Sequence, residues 1–249
     1  MTKTRKLLLK RVYTAIFTAL TFVATYIKID FPIGGMIHLG NFVAIFVALL
    51  FGGTIGGIVG SLGMGLFDVL NGYPYTTFVR TFIVKFCFCF IIGSLLRLLL
   101  KKDKEYKKLP IMLASLFTIV GTFSLYLYIA KPTLIEEPGL FLLSSILMYV
   151  FAIFYIILIF FNNKISRLLR MVIIVSSIGI LVNIILEFIL RVFFLVIVGG
   201  SFDASLIASI LKTPSAIVNG FITLVMIFVC FMPVYLATKN INKLNDLEG

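Results

Sequence analysis

Apolar residues run in long blocks along this chain, and the polar residues between them come in short clusters. A membrane-spanning helix needs about 20 apolar residues at 1.5 Å each. The blocks predict spans at 12–27, 39–50, 55–70, 78–100, 111–130, 140–161 and 171–198. An eighth starts near Ser205 or Pro214 and runs to Ala237, with a kink at Pro233. Turn residues mark the breaks: Asp30, Pro32, Gly34 and Gly35, then Gly52-Gly53, Asn71-Gly72-Tyr73-Pro74, Lys131-Pro132 to Pro138-Gly139, and Gly199-Gly200-Ser201. The second and third spans are the weakest, being short and glycine-rich. No polar stretch is long enough to fold as a soluble domain.

Loop charge orients the bundle. Of the 22 Lys and Arg, Lys85 and Arg191 fall inside spans. With eight spans and an N-terminus in the cytoplasm, only Lys28, Arg80, Lys131 and Lys212 lie outside, and the remaining sixteen lie inside. The largest cluster is the loop after the fourth span, Lys101-Lys102-Asp103-Lys104-Glu105-Tyr106-Lys107-Lys108. Positive loops stay inside, so both termini are expected in the cytoplasm of a multi-pass cell-membrane protein. The basic start followed by an apolar run has no small-residue cleavage site after it, and the first helix is read as retained.

Composition agrees. Sixty-one per cent of residues are apolar and 13% charged, against roughly half and a quarter in soluble domains. That excess excludes a soluble globule and also disorder. The net charge of +12 is explained by topology; its basic residues are scattered through the breaks, so no nucleic-acid partner is expected. Cys87, Cys89 and Cys230 lie in apolar runs and imply neither disulfides nor zinc. The expected class is all-α, a polytopic membrane helix bundle in one integral domain, in contact with lipid throughout.

Ionisable residues inside a span cost several kcal/mol unless they find partners or a wet cavity. Asp68 lies near the outer end of the third span and Arg80 at a similar level on the fourth, where the two are placed to pair. Lys85 is about 8 Å deeper. Asn183, Glu187 and Arg191 are spaced by four on one face of the seventh span. Asn219 enters the eighth, and His38 and Asn41 open the second. These polar residues cluster in the outer half of the bundle, which suits a pocket that takes a solute from outside. A channel needs polar groups through the full depth. The alternative is that Glu187–Arg191 and Asp68–Arg80 only staple helices, with Asn219 as packing glue. Tyr73 and Tyr75 fit an interfacial belt or a pocket lid equally well. The series Gly53, Gly56, Gly57, Gly60, Gly63 and Gly65 has small-xxx-small spacing and predicts close helix packing. With no Gly-Lys-Ser/Thr after it, it is not a phosphate loop.

The order of motifs resembles a known family. Ile37-His38-Leu39-Gly40-Asn41 is followed by Ala48-Leu49-Leu50-Phe51-Gly52, by Gly56-Gly57-Ile58-Val59-Gly60-Ser61-Leu62-Gly63, and by Asp68. Gly72-Tyr73-Pro74, Thr81-Phe82-Ile83-Val84-Lys85 and Gly93 come next. Together they resemble the S components of energy-coupling factor (ECF) vitamin transporters, the riboflavin-transporter-like group. Asn41 stands where that family usually has Asp, and Gly53 where it has Pro. The resemblance covers 10–100 and, more weakly, 171–239. It implies six family helices, the first four and the last two, with 101–170 as an inserted hairpin. It further implies that the protein binds a water-soluble vitamin or precursor outside, docks on a transmembrane T subunit carrying two ATPases, and releases the solute inside a prokaryotic cell. By the same resemblance Ala15 and Ala19 form the docking element of the first helix. Pro214-Ser215-Ala216-Ile217-Val218-Asn219-Gly220 is similar to the opening of the last helix, where Asn or Gln contacts substrate. His38, Asn41, Asp68, Tyr75, Arg80, Lys85, Asn183, Glu187, Arg191 and Asn219 are the candidate substrate contacts.

No catalytic group, metal set or cofactor is expected. One histidine cannot supply an intramembrane metalloprotease, and Asp68 has no acidic neighbour for head-group transfer. The main alternative is a self-contained secondary transporter. Such proteins often show broken-helix repeats, and the glycine-rich second and third spans have no counterpart in the second half. Two basic residues near the pocket favour a solute with an acidic or strongly hydrogen-bonding group.

Overall fold

The computed structural model describes residues 3–31, 35–101, 108–130, 138–161 and 165–242. Several charges used for orientation lie outside these residues: Lys102, Lys104, Lys107, Lys131, Lys164 and Lys243. The turn residues Pro32 and Gly34 do as well. The element order is α1 (Lys3–Tyr26), β1 (Lys28–Asp30), β2 (Met36–His38), α2 (Gly40–Phe51), α3 (Gly53–Leu70), α4 (Tyr75–Lys101), α5 (Lys108–Ala130), α6 (Pro138–Phe160), α7 (Arg167–Ile197) and α8 (Phe202–Asn242). The chain is a polytopic all-α membrane bundle, and seven of these helices are long and apolar enough to cross a bilayer.

The expected second span is the exception. α2 has 12 residues, about 18 Å of helix, which is too short to cross alone. The polar stretch before it is not a plain turn either. β1 and β2 pair antiparallel, with Lys28 opposite His38 and Asp30 opposite Met36. Strand β2 and α2 laid end to end reach roughly 28 Å. At its far end, the Arg97 guanidinium donates to the Phe51 carbonyl at 2.9 Å, satisfying an orphan acceptor at the α2 C-terminus. α8 also differs from expectation: it begins at Phe202, where the Ser201 hydroxyl accepts from the Ala204 N–H at 3.3 Å. It continues unbroken through Pro214 and Pro233.

Glycine sets the packing. α2 and α3 fold back on each other about Gly52, which has φ +99°, a conformation open to glycine at little cost. A Cβ on Gly56 would strike the backbone of Ala48, and one on Gly60 would meet Ala44 and Cys89. A Cβ on Gly63 would strike Thr18 and Thr21 of α1, and Gly53 and Gly93 abut each other between α3 and α4. The α3 glycines thus serve three neighbours, α1, α2 and α4.

Cross-contacts fix the directions of the other helices. Lys85 meets Asn183 and Gly179 meets Ile92, so α4 and α7 are antiparallel. Phe151 stacks near Phe221 and Phe154 near Phe228, so α6 runs parallel to α8. Successive helices alternate, so the N-terminus of α1 and the C-terminus of α8 lie at the same end of the bundle. The core is apolar and aromatic, with Phe88, Ile92, Phe117, Met148, Tyr155 and Phe231 fully buried. The α5–α6 hairpin lies against α7 and α8. Tyr155 donates to Ser177, and Ser124 and Ser144 share a 2.7 Å hydrogen bond between α5 and α6, the serine bonding by which helices associate in lipid.

Gly56→Leu forces α2 away from α3 and costs about 1–3 kcal/mol or more of overpacking. A fluorescence melt in detergent checks this: Gly56→Leu lowers the transition temperature or abolishes monodisperse protein, whereas Gly139→Ala, whose Cβ enters open space, leaves it unchanged.

Candidate functional site

At the end of the bundle that carries the β-hairpin lies a cavity of about 400 Å³, lined by both strands and by α1, α2, α3, α4, α7 and α8. β2 contributes His38, α2 Asn41 and α3 Asp68. α4 contributes Arg80, Thr81 and Lys85, α7 Asn183, Glu187 and Arg191, and α8 Lys212, Ser215 and Asn219. Nine of the ten residues singled out as substrate contacts therefore meet in one place. The tenth, Tyr75, does not. It opens α4 at the surface, 75% exposed, beside Phe78. Tyr73 lines the cavity instead, held near Phe67.

The wall is knit by polar contacts between helices. Glu187 receives Arg191 Nη2 at 3.0 Å along α7 and faces Arg80 Nε of α4 at 3.3 Å. Arg80 is therefore paired with Glu187 rather than with Asp68 as its position on the chain suggested. The chain order could not show this, because α7 lies more than a hundred residues away. Deeper in the bundle, Lys85 Nζ donates to Asn183 Oδ1 at 2.8 Å, and its ammonium stands 5.5 Å from the Phe88 ring centroid. Asn219 Oδ1 accepts the His38 backbone N–H at 3.4 Å, tying the strand to α8. Asn219 is thus a staple as well as a cavity residue.

Other polar atoms make no hydrogen bond among the described residues. His38 Nδ1, Asn41 Oδ1 and Asp68 Oδ2 are buried without a hydrogen bond, as are Arg80 Nε and Arg191 Nε. Buried polar atoms are nearly always bonded, and an unmade bond costs about 1–3 kcal/mol. Several such atoms around one cavity call for a guest that carries the complementary groups. Burial first, and then the nearby Lys85 ammonium, push the His38 imidazole down to about 3, so it is neutral at physiological pH.

The β-hairpin supplies the rim. Lys28 Nζ bonds Asp30 at 2.9–3.1 Å, a contact that raises the Lys28 pKa above its ordinary value. The same ammonium stands 5.4 Å from the Phe67 ring centroid. Asp30, Phe31 and Met36 reach the cavity. Sequence reasoning missed these residues, as it missed Thr25, Met64 and Thr77. Their type carries no signal, and only strand pairing and helix packing bring them in. Lys212 was counted as a loop charge, but it is half buried in α8 and lines the cavity.

A second concavity runs along the outside of α1 and α3, with a volume of about 780 Å³. Ala15 and Ala19 lie exposed on it, beside the half-buried Thr14 and Thr18 and flanked by Ile58, Leu62 and Leu66. It is an open apolar groove on the side of the bundle.

The model of one protein family, the ECF-type riboflavin transporter, S component, matches residues 6–161. The match runs from α1 through α6 and stops before α7 and α8, which carry Asn183, Glu187, Arg191 and Asn219. No curated protein and no solved structure matches the chain. The matched residues cover well over half of a multi-pass helix bundle whose buried polar residues gather round one cavity, and the chain belongs to the ECF-type riboflavin transporter S component family, the substrate-binding membrane subunits of ECF transporters.

Proposed function

We propose that this protein captures a water-soluble vitamin or vitamin precursor at the outer face of a prokaryotic cell membrane, in the cavity bounded by α2, α3, α4, α7 and α8. The observation that carries the reading is the convergence of nine candidate residues, with several unpartnered buried polar atoms, on one cavity. In this reading both termini are cytoplasmic, because the termini share one end of the bundle, the cavity lies at the other, and the basic loops stay inside. The β-hairpin then covers the outer mouth. All 249 residues form one integral domain, with 101–170 as an added hairpin that buttresses α7 and α8.

Release follows docking on a T subunit that carries two ATPases. Support comes from the groove on α1 and α3. There Ala15 and Ala19 leave a smooth face on which a partner helix approaches closely. ATP is hydrolysed on the partner, for this chain carries no Gly-Lys-Ser/Thr phosphate loop.

Native mass spectrometry of protein purified from vitamin-rich medium is the direct test. One small molecule bound per chain supports the reading, and protein that stays empty across supplemented media sinks it. Asp68→Asn keeps the side-chain shape and is expected to weaken binding of that molecule at least tenfold, about 1.4 kcal/mol, with little change in melting temperature. Glu187→Gln unpairs two guanidiniums and is expected to lower both affinity and thermal stability. If Asp68→Asn destabilises the fold without touching affinity, Asp68 is a staple. Ala15→Leu and Ala19→Leu together fill the groove. They are expected to abolish co-purification with a co-expressed T subunit while solute binding persists; retained co-purification places the docking face elsewhere.

A further inference from the structure

The charges around the cavity do not balance. Arg80, Lys85, Arg191 and Lys212 line it, against Asp30, Asp68 and Glu187. Asp30 sits on the rim and is already taken by Lys28 at 2.9 Å. Glu187 is shared by two guanidiniums through one oxygen. The inner wall therefore holds four cations and two carboxylates. His38 adds no charge at neutral pH.

The excess has a location. The Lys212 ammonium makes no hydrogen bond or ion pair among the described residues. Its electrostatic neighbours are Arg191, Arg80 and Glu187, so it adds a third cation to a carboxylate that already serves two. Arg191 Nε is a buried donor with no acceptor, and Arg80 Nε has only the shared Glu187 oxygen at 3.3 Å, without a hydrogen bond. On α2 and α3 the unmet atoms are of the other kind: Asn41 Oδ1 and Asp68 Oδ2 only accept. The cavity thus takes its surplus donors from α4, α7 and α8 and its unmet acceptors from α2 and α3. Closing an apolar bundle over uncompensated cations is costly unless the guest brings negative charge.

We infer that the solute carries an anionic group, a carboxylate or phosphate ester, seated against Lys212 and Arg191, and turns N–H or O–H donors toward Asn41 and Asp68. This deepens the solute-binding reading and rests on it. Carboxylates and phosphates both offer paired oxygens to guanidinium donors, and the cavity of about 400 Å³ limits the guest to a single compact molecule.

The test uses the purified full chain in detergent, washed free of cargo and titrated with riboflavin, riboflavin 5′-phosphate, inorganic phosphate and phosphatidylglycerol. Binding is read as a thermal shift at constant ionic strength. The phosphate ester is expected to half-saturate at a concentration at least tenfold below riboflavin, and inorganic phosphate alone to stabilise the protein in the millimolar range. Lys212→Gln reduces the tenfold preference to below about threefold, and Lys212→Arg restores it. Equal or tighter binding of riboflavin overturns the anion assignment while leaving the solute-binding reading intact. So does a preference that survives Lys212→Gln. Stabilisation by phosphatidylglycerol ahead of both flavins assigns the anion site to a lipid head group and overturns the solute claim. No stabilisation by any of the four, in a protein that also purifies empty, overturns both readings.

Discussion

The close approach of α3 to its neighbours is the constraint on which the rest of this structure depends. In a bilayer, apolar side chains gain little by leaving lipid for protein, so helices associate through packing and hydrogen bonds. Glycine lets backbones come near enough for both. On α3 glycines face α1, α2 and α4 in turn, and a Cβ at Gly53, Gly56 or Gly63 would strike a neighbouring helix. Because α2 is held this tightly, a helix of 12 residues can be buried in the centre of the bundle. Its N-terminal Asn41 is thereby brought to the cavity that Asp68 also lines, and the short strand before it carries His38 there.

The second element of the architecture is electrostatic. A charge inside a membrane protein must be paired or kept near water, and both devices are present. Glu187 draws α7 to α4 through Arg80, and Lys85 does the same through Asn183. These contacts hold the wall in shape, and they leave a second set of polar atoms unsatisfied on its inner surface. The same residues therefore serve in stapling and in recognition. That is why chain order alone left the two roles of Glu187, Arg191 and Asn219 open.

The α5–α6 hairpin illustrates a different economy. It meets α8 through aromatic pairs, Phe151 with Phe221 and Phe154 with Phe228, and α7 through the hydrogen bond from Tyr155 to Ser177. None of its described residues lines the cavity. Its effect on the cavity is indirect, through support of the two helices that carry Asn183, Glu187, Arg191, Lys212 and Asn219.

The sequence by itself determined the class and the long helices. Hydrophobic runs of 18 or more residues leave few alternatives in lipid, because every backbone group must be bonded within the segment. It also determined the candidate site to a large degree. Ionisable residues in such runs are rare and costly, so each one is informative, and nine of ten proved to share one cavity. Tyr75 misled because a tyrosine at a helix end is equally at home at an interface. The pairing of Arg80 with Glu187, the β-hairpin of 28–38, the place of Lys212 and the helical continuity of α8 were decided only by tertiary structure. Each depends on which helix lies beside which, and periodicity within a segment reports the face that is polar but not the partner it meets.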